Sequence, residues 1–174
     1  MSKATAEFGS GVGAERKLRG VIDDILGQNP EQTILIDTPG DLSLISNMSI
    51  AAAEVLVIPV ATQLMSIDAL SISLQRIGQI QQHLNSGLKR ILILPSLFMS
   101  QRKTHKVSLQ LMEKEFSRLM ARASDGSLIV IEDRAEMDRF LHAHMPFKHG
   151  SPMDLGFKQL ADCISSTENT VRLG

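Results

Sequence analysis

Three short apolar segments, separated by longer helical patterns, restrict this chain to a small number of folds. The segments are residues 32–37, 55–60 and 91–94, and a proline lies within or shortly after each of them. The third contains no polar residue, which is typical of a strand buried on both faces of a parallel sheet. Strands that alternate with helices are joined by crossover connections. The sequence therefore predicts an α/β fold with a mainly parallel sheet and helices on both faces.

The remaining elements complete this alternation. The longest helical pattern covers residues 66–85, where apolar residues recur three and four positions apart. The other predicted elements are helices at 14–27, 42–53, 104–121 and 154–165, a short helix starting within 132–139, and a fourth strand at 127–131. We expect a flexible lead-in of residues 1–13, a single α/β domain of residues 14–165, and a C-terminal tail of residues 166–174.

The composition argues against several classes of protein. A net charge of −1 gives no general positive field for nucleic acid, and 3% aromatic residues provide few rings for stacking the bases of a single strand. The longest apolar run, residues 55–61, is far shorter than the about 20 residues that span a bilayer. The single Cys163 cannot form an internal disulfide, and the N-terminus lacks the apolar centre of a signal peptide. We therefore expect a cytoplasmic location and no membrane span.

The first apolar segment ends at an acid that is followed by a turn. Asp37 closes the predicted strand, and Thr38, Pro39 and Gly40 must turn the chain. Sheets of this kind bind ligands beyond the carboxyl ends of their strands. An acid at that place can hold the water shell of Mg²⁺, and a glycine shortly after it lets a backbone N–H approach a terminal phosphate. The alternative is a strand that simply ends in a Pro-Gly turn.

Four consecutive motifs resemble those of the ParA/MinD family of deviant Walker P-loop ATPases. Residues 36–40 match its strand ending in Asp-Thr-Pro, and residues 52–55 match its Ala-Asp-Glu-Val segment. Residues 56–60 match its strand ending in Ile-Pro-Val, and residues 66–70 match the helix that follows. Order and spacing agree throughout, and the resemblance extends over residues 15–165.

This resemblance implies a P-loop NTPase-like fold that binds ATP with Mg²⁺. On the matching positions Asp37, Thr38, Gly40 and Pro59 would contact the nucleotide, and Asp37, at the Walker B position, would hold Mg²⁺ through water. Family members form ATP-sandwich dimers, are stimulated by a partner protein, and partition plasmids or chromosomes or position other cargo. The resemblance implies the same kind of role here.

The family's phosphate loop, Lys-Gly-Gly-Val-Gly-Lys-Thr, is not matched. Residues 9–13 imitate its glycines, but Ala14 stands where the phosphate-binding lysine belongs and Glu15 where the Mg²⁺-binding hydroxyl belongs. The family's strands before Asp37 are expected to be missing or replaced, and its Asn and Pro near the base correspond to Pro95-Ser96 and Glu132. We therefore expect an incomplete or degenerate ATPase without autonomous hydrolysis.

Two kinds of function fit these motifs. One is a ParA/MinD-like role in partition or cargo positioning, as a homodimer or with a partner ATPase or partition adaptor. The other is a non-catalytic interaction or regulatory module that dimerises or binds a partner protein through the former nucleotide rim. A sheet without its first strands would leave an exposed edge, which favours association in both cases.

A basic segment precedes the helix predicted at 104–121. It contains Arg102, Lys103, His105 and Lys106, to which four further cations could be added: Arg118, Arg122, Lys148 and Lys158. By resemblance, Arg102, Lys103 and Lys106 are predicted to bind DNA non-specifically through its phosphates. The alternative is a solvated surface, because acids such as Glu113, Glu115 and Asp125 are interspersed. His142, His144 and His149 have no spacing typical of a metal site and are expected at the surface.

Overall fold

Helices and strands alternate along the chain in the computed structural model, which describes residues 13–41, 43–166 and 173. The helices are α1 (Ala14–Gln28), α2 (Leu44–Ala52), α3 (Leu64–His83), α4 (Lys103–Phe116), α5 (Ala135–Ala143) and α6 (Pro152–Ser165); the strands are β1 (Val55–Ala61) and β2 (Arg90–Ser96). The predicted α/β fold with parallel strands is thus confirmed. Residues 1–12 of the predicted lead-in and most of the predicted tail lie outside the described ranges.

β1 and β2 form a two-stranded sheet. At its start, the Lys89 N–H donates to the Glu54 carbonyl at 2.8 Å, and at its end the Thr62 N–H donates to the Ser96 carbonyl at 3.1 Å. Both strands therefore run in the same direction, so the pair is parallel. β2 is buried from Ile91 to Pro95, as its wholly apolar sequence predicts.

The other edge of β2 pairs with two short segments in succession. Ile93 donates to Leu119 at 2.7 Å and accepts from Ala121 at 2.9 Å, and Ile131 donates to the Pro95 carbonyl at 2.8 Å. This pairing ends the predicted helix 104–121 at Phe116, because residues 119–121 are needed as a neighbour of β2.

The fourth strand, predicted at 127–131, was wrong in form. Residues 122 and 128 make an antiparallel bridge, and residues 98 and 132 make a parallel one. The turn at Gly126, whose φ is +84°, folds the chain back on itself between its two contacts with β2, at residues 119–121 and at residue 131. The predicted strand is therefore divided between two neighbours and forms isolated bridges.

The strand predicted at 32–37 was also wrong. The segment is extended but belongs to no strand, and the Leu35 side chain is 92% exposed. Gln32 donates to the Asn29 carbonyl at 3.1 Å, and residues 33–37 make no backbone hydrogen bond with any residue that the structure describes. Strand propensity at Thr33 and Ile34 needs a neighbouring strand before it can become a ladder.

The chain divides into two compact units, unit 1 with residues 1–56, 73–90 and 172–174 and unit 2 with residues 57–72 and 91–171. The core of unit 1 is aliphatic and comes from α1, α2, the second half of α3 and the segment after it: Ile22, Met48, Ile77, Ile80 and Leu88. In unit 2 the buried strand β2 is joined by Met112, Leu119, Ala121, Ile129 and Met153. Gly156 lets α6 lie close to this core, because a Cβ there would stand 3.3 Å from Ile131 Cδ1.

Three of the six phenylalanines stack in unit 2. The rings of Phe140 and Phe147 lie 4.8 Å apart, and those of Phe147 and Phe157 lie 5.5 Å apart and nearly parallel. Such contacts fix α5, the following loop and α6 to one another. Among the described residues, no helix is both long and apolar enough to cross a membrane.

Asn85 fastens the end of α2 to the turn after α3. Its Nδ2 donates to the Ile50 carbonyl at 2.9 Å and to the Ala53 carbonyl at 2.7 Å, and its Oδ1 accepts from the Gly87 N–H at 3.1 Å. The residue is only 6% exposed. Its amide thus provides a donor for the Ala53 carbonyl and a second donor for the Ile50 carbonyl, which also accepts from the Ala53 N–H at 3.4 Å.

We predict that Asn85→Ala lowers the free energy of unfolding by about 2 kcal/mol, because it leaves buried backbone groups unpaired. Urea unfolding followed by circular dichroism measures this change. Gln82→Ala is the matched control, since Gln82 is exposed near the same end of α3. Equal effects of the two variants would contradict the role given to Asn85.

Candidate functional site

The residues predicted to bind a nucleotide lie on one exposed turn of unit 1, with one exception. Asp37, Thr38 and Gly40 are all exposed and lie within four consecutive residues. Pro59 is exposed in β1 and belongs to unit 2. The structure therefore brings the first three together on a single turn.

This turn is attached to the first turn of α2. Asp41 Oδ1 accepts hydrogen bonds from the Ser43 N–H and the Ser46 hydroxyl, both at 3.1 Å. The Ser46 hydroxyl also lies 3.1 Å from the Pro39 carbonyl, and the Ser43 hydroxyl caps α2 by accepting from the Ser46 N–H. The turn that carries Asp37 thus ends in a hydrogen-bonded helix start.

These bonds also set the charge state of the turn. The Ser43 side chain, then its backbone N–H and the Ser46 hydroxyl, hold the pKa of Asp41 below its ordinary value. All three favour the ionised carboxylate. Asp41 is therefore a fixed negative charge close in sequence to Asp37.

Asp37 has the chemistry that a Mg²⁺ water shell requires, an exposed carboxylate oxygen on a turn with a glycine. In the described part of the chain, no group of three His, Cys, Asp or Glu side chains is arranged to hold a metal ion directly. Of the imitated phosphate loop, residues 9–12 lie outside the described ranges. Gly13 is the N-cap of α1 with φ +89°, and Ala14 is the first residue of that helix.

The predicted DNA-binding residues lie together at the start of α4. Arg102 is the N-cap, Lys103 the first helical residue and Lys106 lies on the same turn, and all three are exposed. None of them forms an ion pair with a described acid, and the first turn of α4 contains no acidic residue. Arg102 provides no side-chain cap to the helix. These cations are therefore uncompensated at a helix start.

Two of the four further basic residues of the predicted set differ from these three, because each is paired with an acid. Arg122 is paired with Glu113 at 2.9 Å and also donates to the Gly126 carbonyl, and Lys158 is paired with Asp154 at 2.8 Å. The pKa of Asp154 is held low, chiefly by its hydrogen bond from Lys158. Paired cations of this kind are less available to a polyanion.

His105 was expected in the basic surface but is buried, with 6% exposure. Its Nδ1 accepts from the Met99 N–H at 3.2 Å and lies 3.0 Å from the Thr62 hydroxyl. The ring also lies against Phe98, with centroids 6.5 Å apart. The sequence did not predict this contact of His105 with Met99 and Thr62, because a histidine within a run of cations is expected at the surface.

The chain between β2 and α4 is held along most of its length. The Phe98 N–H donates to the Ile131 carbonyl at 3.1 Å, and the Phe98 carbonyl accepts from the Asp133 N–H at 2.9 Å. Leu97 precedes it with φ +53°, a left-handed conformation that is unusual for leucine. At the neighbouring strand end, Glu132 accepts from Arg134 at 2.6 Å, so the position that departs from the family's Pro is an ion-paired acid.

Comparison with known proteins places this geometry in a family and a fold. Residues 1–90 match the family model described as an AAA domain. No curated protein sequence matches the chain.

Among solved structures, the fold is similar to that of cobyrinic acid a,c-diamide synthase from Mycobacterium smegmatis. With bound ADP and magnesium, that enzyme gives a TM-score of 0.69 at 18% identity over 99% of this chain and 62% of its own. With a bound ATP analogue and magnesium, the enzyme gives a TM-score of 0.69 at 18% identity over 99% of this chain and 63% of its own. A third structure of the enzyme gives a TM-score of 0.68 at 17% identity over 97% of this chain and 61% of its own. The chain thus spans less than two thirds of that enzyme, and the likeness confirms the predicted P-loop NTPase-like fold.

We predict that Asp41→Asn lowers the melting temperature at pH 7 and that this effect becomes smaller as the pH falls from 7 to 3, past the ordinary carboxyl pKa of 3.8. A carboxylate whose folded pKa is depressed stabilises the fold above its unfolded pKa, and this contribution is lost as the pH falls through the folded pKa. Thermal unfolding of both proteins across this pH range measures the difference. A gap between the two melting temperatures that stays constant with pH would contradict the charge effect.

Proposed function

We propose that this chain, which belongs to the AAA-domain family of ParA/MinD-like P-loop ATPases, acts in the partition of DNA or the positioning of cargo and holds DNA non-specifically at the start of α4. The observation that carries this proposal is the group of three exposed, uncompensated cations Arg102, Lys103 and Lys106.

The electrostatics of a helix start favour a phosphate ligand there. The positive end of the helix dipole disfavours nearby cations by about 0.3–1 kcal/mol each, whereas an anion at the same place is stabilised. Arg102, Lys103 and Lys106 therefore carry a local cost that a bound phosphate backbone would remove. Contacts of this kind position a protein on DNA without reading its sequence.

We further propose that the Asp37 turn contacts a nucleotide. Asp37 would hold the water shell of Mg²⁺, and Gly40 would let a backbone N–H approach a phosphate. Mg²⁺ supplies neutralisation of the phosphate charge when it is bound. Support comes from the ADP and magnesium in the similar synthase structure.

Hydrolysis by this chain alone is not part of the proposal. Phosphoryl transfer is catalysed mainly by positioning and charge stabilisation, and a lysine of the phosphate loop provides much of both. Ala14 stands at that position here. A degenerate ATPase of this kind would bind a nucleotide as a signal or share a site with a partner ATPase or a second copy of the chain.

The second candidate function is a non-catalytic interaction module. It is favoured by the segment 33–37, where Leu35 is 92% exposed and the backbone makes no ladder with any described residue. An extended, apolar segment in this state is suited to pairing with a strand of another polypeptide. Nucleotide binding distinguishes the two functions, because only the first requires it.

We predict that ATP or ADP with Mg²⁺ binds the purified chain with a dissociation constant of millimolar or tighter and raises its melting temperature. Asp37→Asn should weaken the part of binding that depends on Mg²⁺. Asp24→Asn is the matched control, since it removes an exposed carboxylate from α1 of the same unit. Titration calorimetry that detects no binding, with an unchanged melting temperature, would leave the interaction module as the better function.

We predict that the double variant Arg102→Ala with Lys103→Ala weakens binding to double-stranded DNA of any sequence. The slope of log affinity against log salt should become less steep by about 2, since each phosphate contact contributes about 0.9. Gel shifts over a salt series measure the slope.

The control for this test removes two cations that are already paired. Lys89 lies 3.2 Å from Glu54, and Lys158 lies 2.8 Å from Asp154. Lys89→Ala with Lys158→Ala should leave the slope unchanged. Absence of wild-type binding at low salt, or an equal loss in the control, would contradict the DNA proposal.

A further inference from the structure

We infer that His105 is a positioning residue, whose imidazole holds the turn before α4 so that Arg102 and Lys103 face a phosphate backbone. This inference rests on the proposed DNA-binding function. Within four consecutive positions of α4, His105 is 6% exposed, whereas Lys103, Thr104 and Lys106 are exposed. His105 shares the buried face of α4 with Ser108 and Met112, and a polar ring buried there needs hydrogen-bond partners.

The hydrogen bonds fix which ring nitrogen carries the proton. The Met99 N–H can only donate, and it points to Nδ1 at 3.2 Å. Nδ1 must therefore be an acceptor, and the proton of the neutral ring lies on Nε2. The Thr62 hydroxyl, 3.0 Å from Nδ1, is placed to donate to the same nitrogen, with the Leu97 carbonyl at 3.4 Å as its alternative acceptor.

Met99, which His105 holds by its N–H, is also hydrogen-bonded through its carbonyl to the segment that carries the cations. The Arg102 N–H donates to the Met99 carbonyl at 3.0 Å, and the Lys106 N–H donates to the Arg102 carbonyl at 3.3 Å. His105 thus lies on the first turn of the helix and reaches back to a residue before the N-cap. A capping box acts in the same sense, with a side chain from the third helical position bonded to the chain before the helix.

The segment is held from its other side by the strand ends. Phe98 is bonded in both directions to residues 131 and 133, so the chain is fixed up to that residue. Between Phe98 and Arg102, the Nδ1 of His105 is the acceptor that holds the Met99 N–H. Without it, that N–H would turn to water, and the cations would lose their common orientation.

The test compares two substitutions of His105 in the full chain. His105→Asn places a carbonyl oxygen near the position of Nδ1 and keeps the acceptor, whereas His105→Leu keeps apolar volume and removes it. We expect His105→Asn to bind double-stranded DNA with the wild-type salt slope. We expect His105→Leu to bind as weakly as Arg102→Ala with Lys103→Ala, although both cations are still present.

Amide hydrogen exchange without DNA gives a second readout that does not depend on the proposed function. The Met99 and Arg102 amides should exchange about tenfold faster in His105→Leu than in the wild type, and His105→Asn should restore their protection. If wild-type DNA binding is absent, the proposed function fails, and exchange still decides whether His105 orders the turn. Unchanged exchange at Met99 in His105→Leu would overturn the inference, as would rapid exchange together with wild-type DNA affinity.

A third variant covers the case in which His105→Leu does not fold. Thr62→Val keeps the shape of the side chain and removes the hydroxyl beside Nδ1. Because this hydroxyl competes with the Met99 N–H for the single lone pair of Nδ1, Thr62→Val should leave the Met99 amide at least as protected as in the wild type. The acceptor-free His105→Met should lose that protection together with DNA affinity. Wild-type values in His105→Met would overturn the inference, as would faster exchange at Met99 in Thr62→Val.

Discussion

The buried strand β2 is the feature on which unit 2 depends. From Ile91 to Pro95 it is buried, and backbone hydrogen bonds join it to a neighbour on each side. Fully burying each aliphatic side chain contributes about 1.5–3 kcal/mol to stability. The hydrogen bonds at both edges of β2 provide partners for buried backbone N–H and C=O groups, which would otherwise reduce this contribution. The end of β2 is consequently a fixed point, and the chain from Ser96 onwards starts from a defined place and direction.

Most of the fold could be predicted because the spacing of apolar residues within each segment indicates a helix or a strand. β1 and β2 are short apolar runs, and α3 repeats its apolar residues over five turns, so each carries its own signal. Residues 32–37 have the same kind of sequence pattern as β1 but lack a described neighbouring strand. Residues 119–121 have a helical sequence pattern, but in the structure they pair with β2. Both errors have one cause: a strand is decided by its partner, and the partner is distant in sequence.

The candidate site could be predicted only as far as it is contiguous. Asp37, Thr38 and Gly40 share a turn because they are neighbours in the chain, and the same holds for Arg102 and Lys103. The contact between Thr62 and His105 joins residues 43 positions apart, and their spacing does not predict it. The one usable sequence signal was the place of Thr62 directly after the strand β1, since α/β sheets bind ligands beyond the carboxyl ends of their strands.

Residues 97–106 contain two locally unfavourable features that do not depend on each other, a left-handed backbone and a group of cations at a helix start. Leu97 has a left-handed backbone, which costs a leucine about 1–2 kcal/mol, and three cations surround the positive end of α4. The bond from the Thr62 N–H to the Ser96 carbonyl and the bonds of Phe98 to its strand neighbours maintain the first feature, because they fix the chain before and after Leu97. No described acid offsets the second. Stability alone favours neither feature, and the proposed DNA contact would offset the second, because a bound phosphate is stabilised where the three cations are disfavoured.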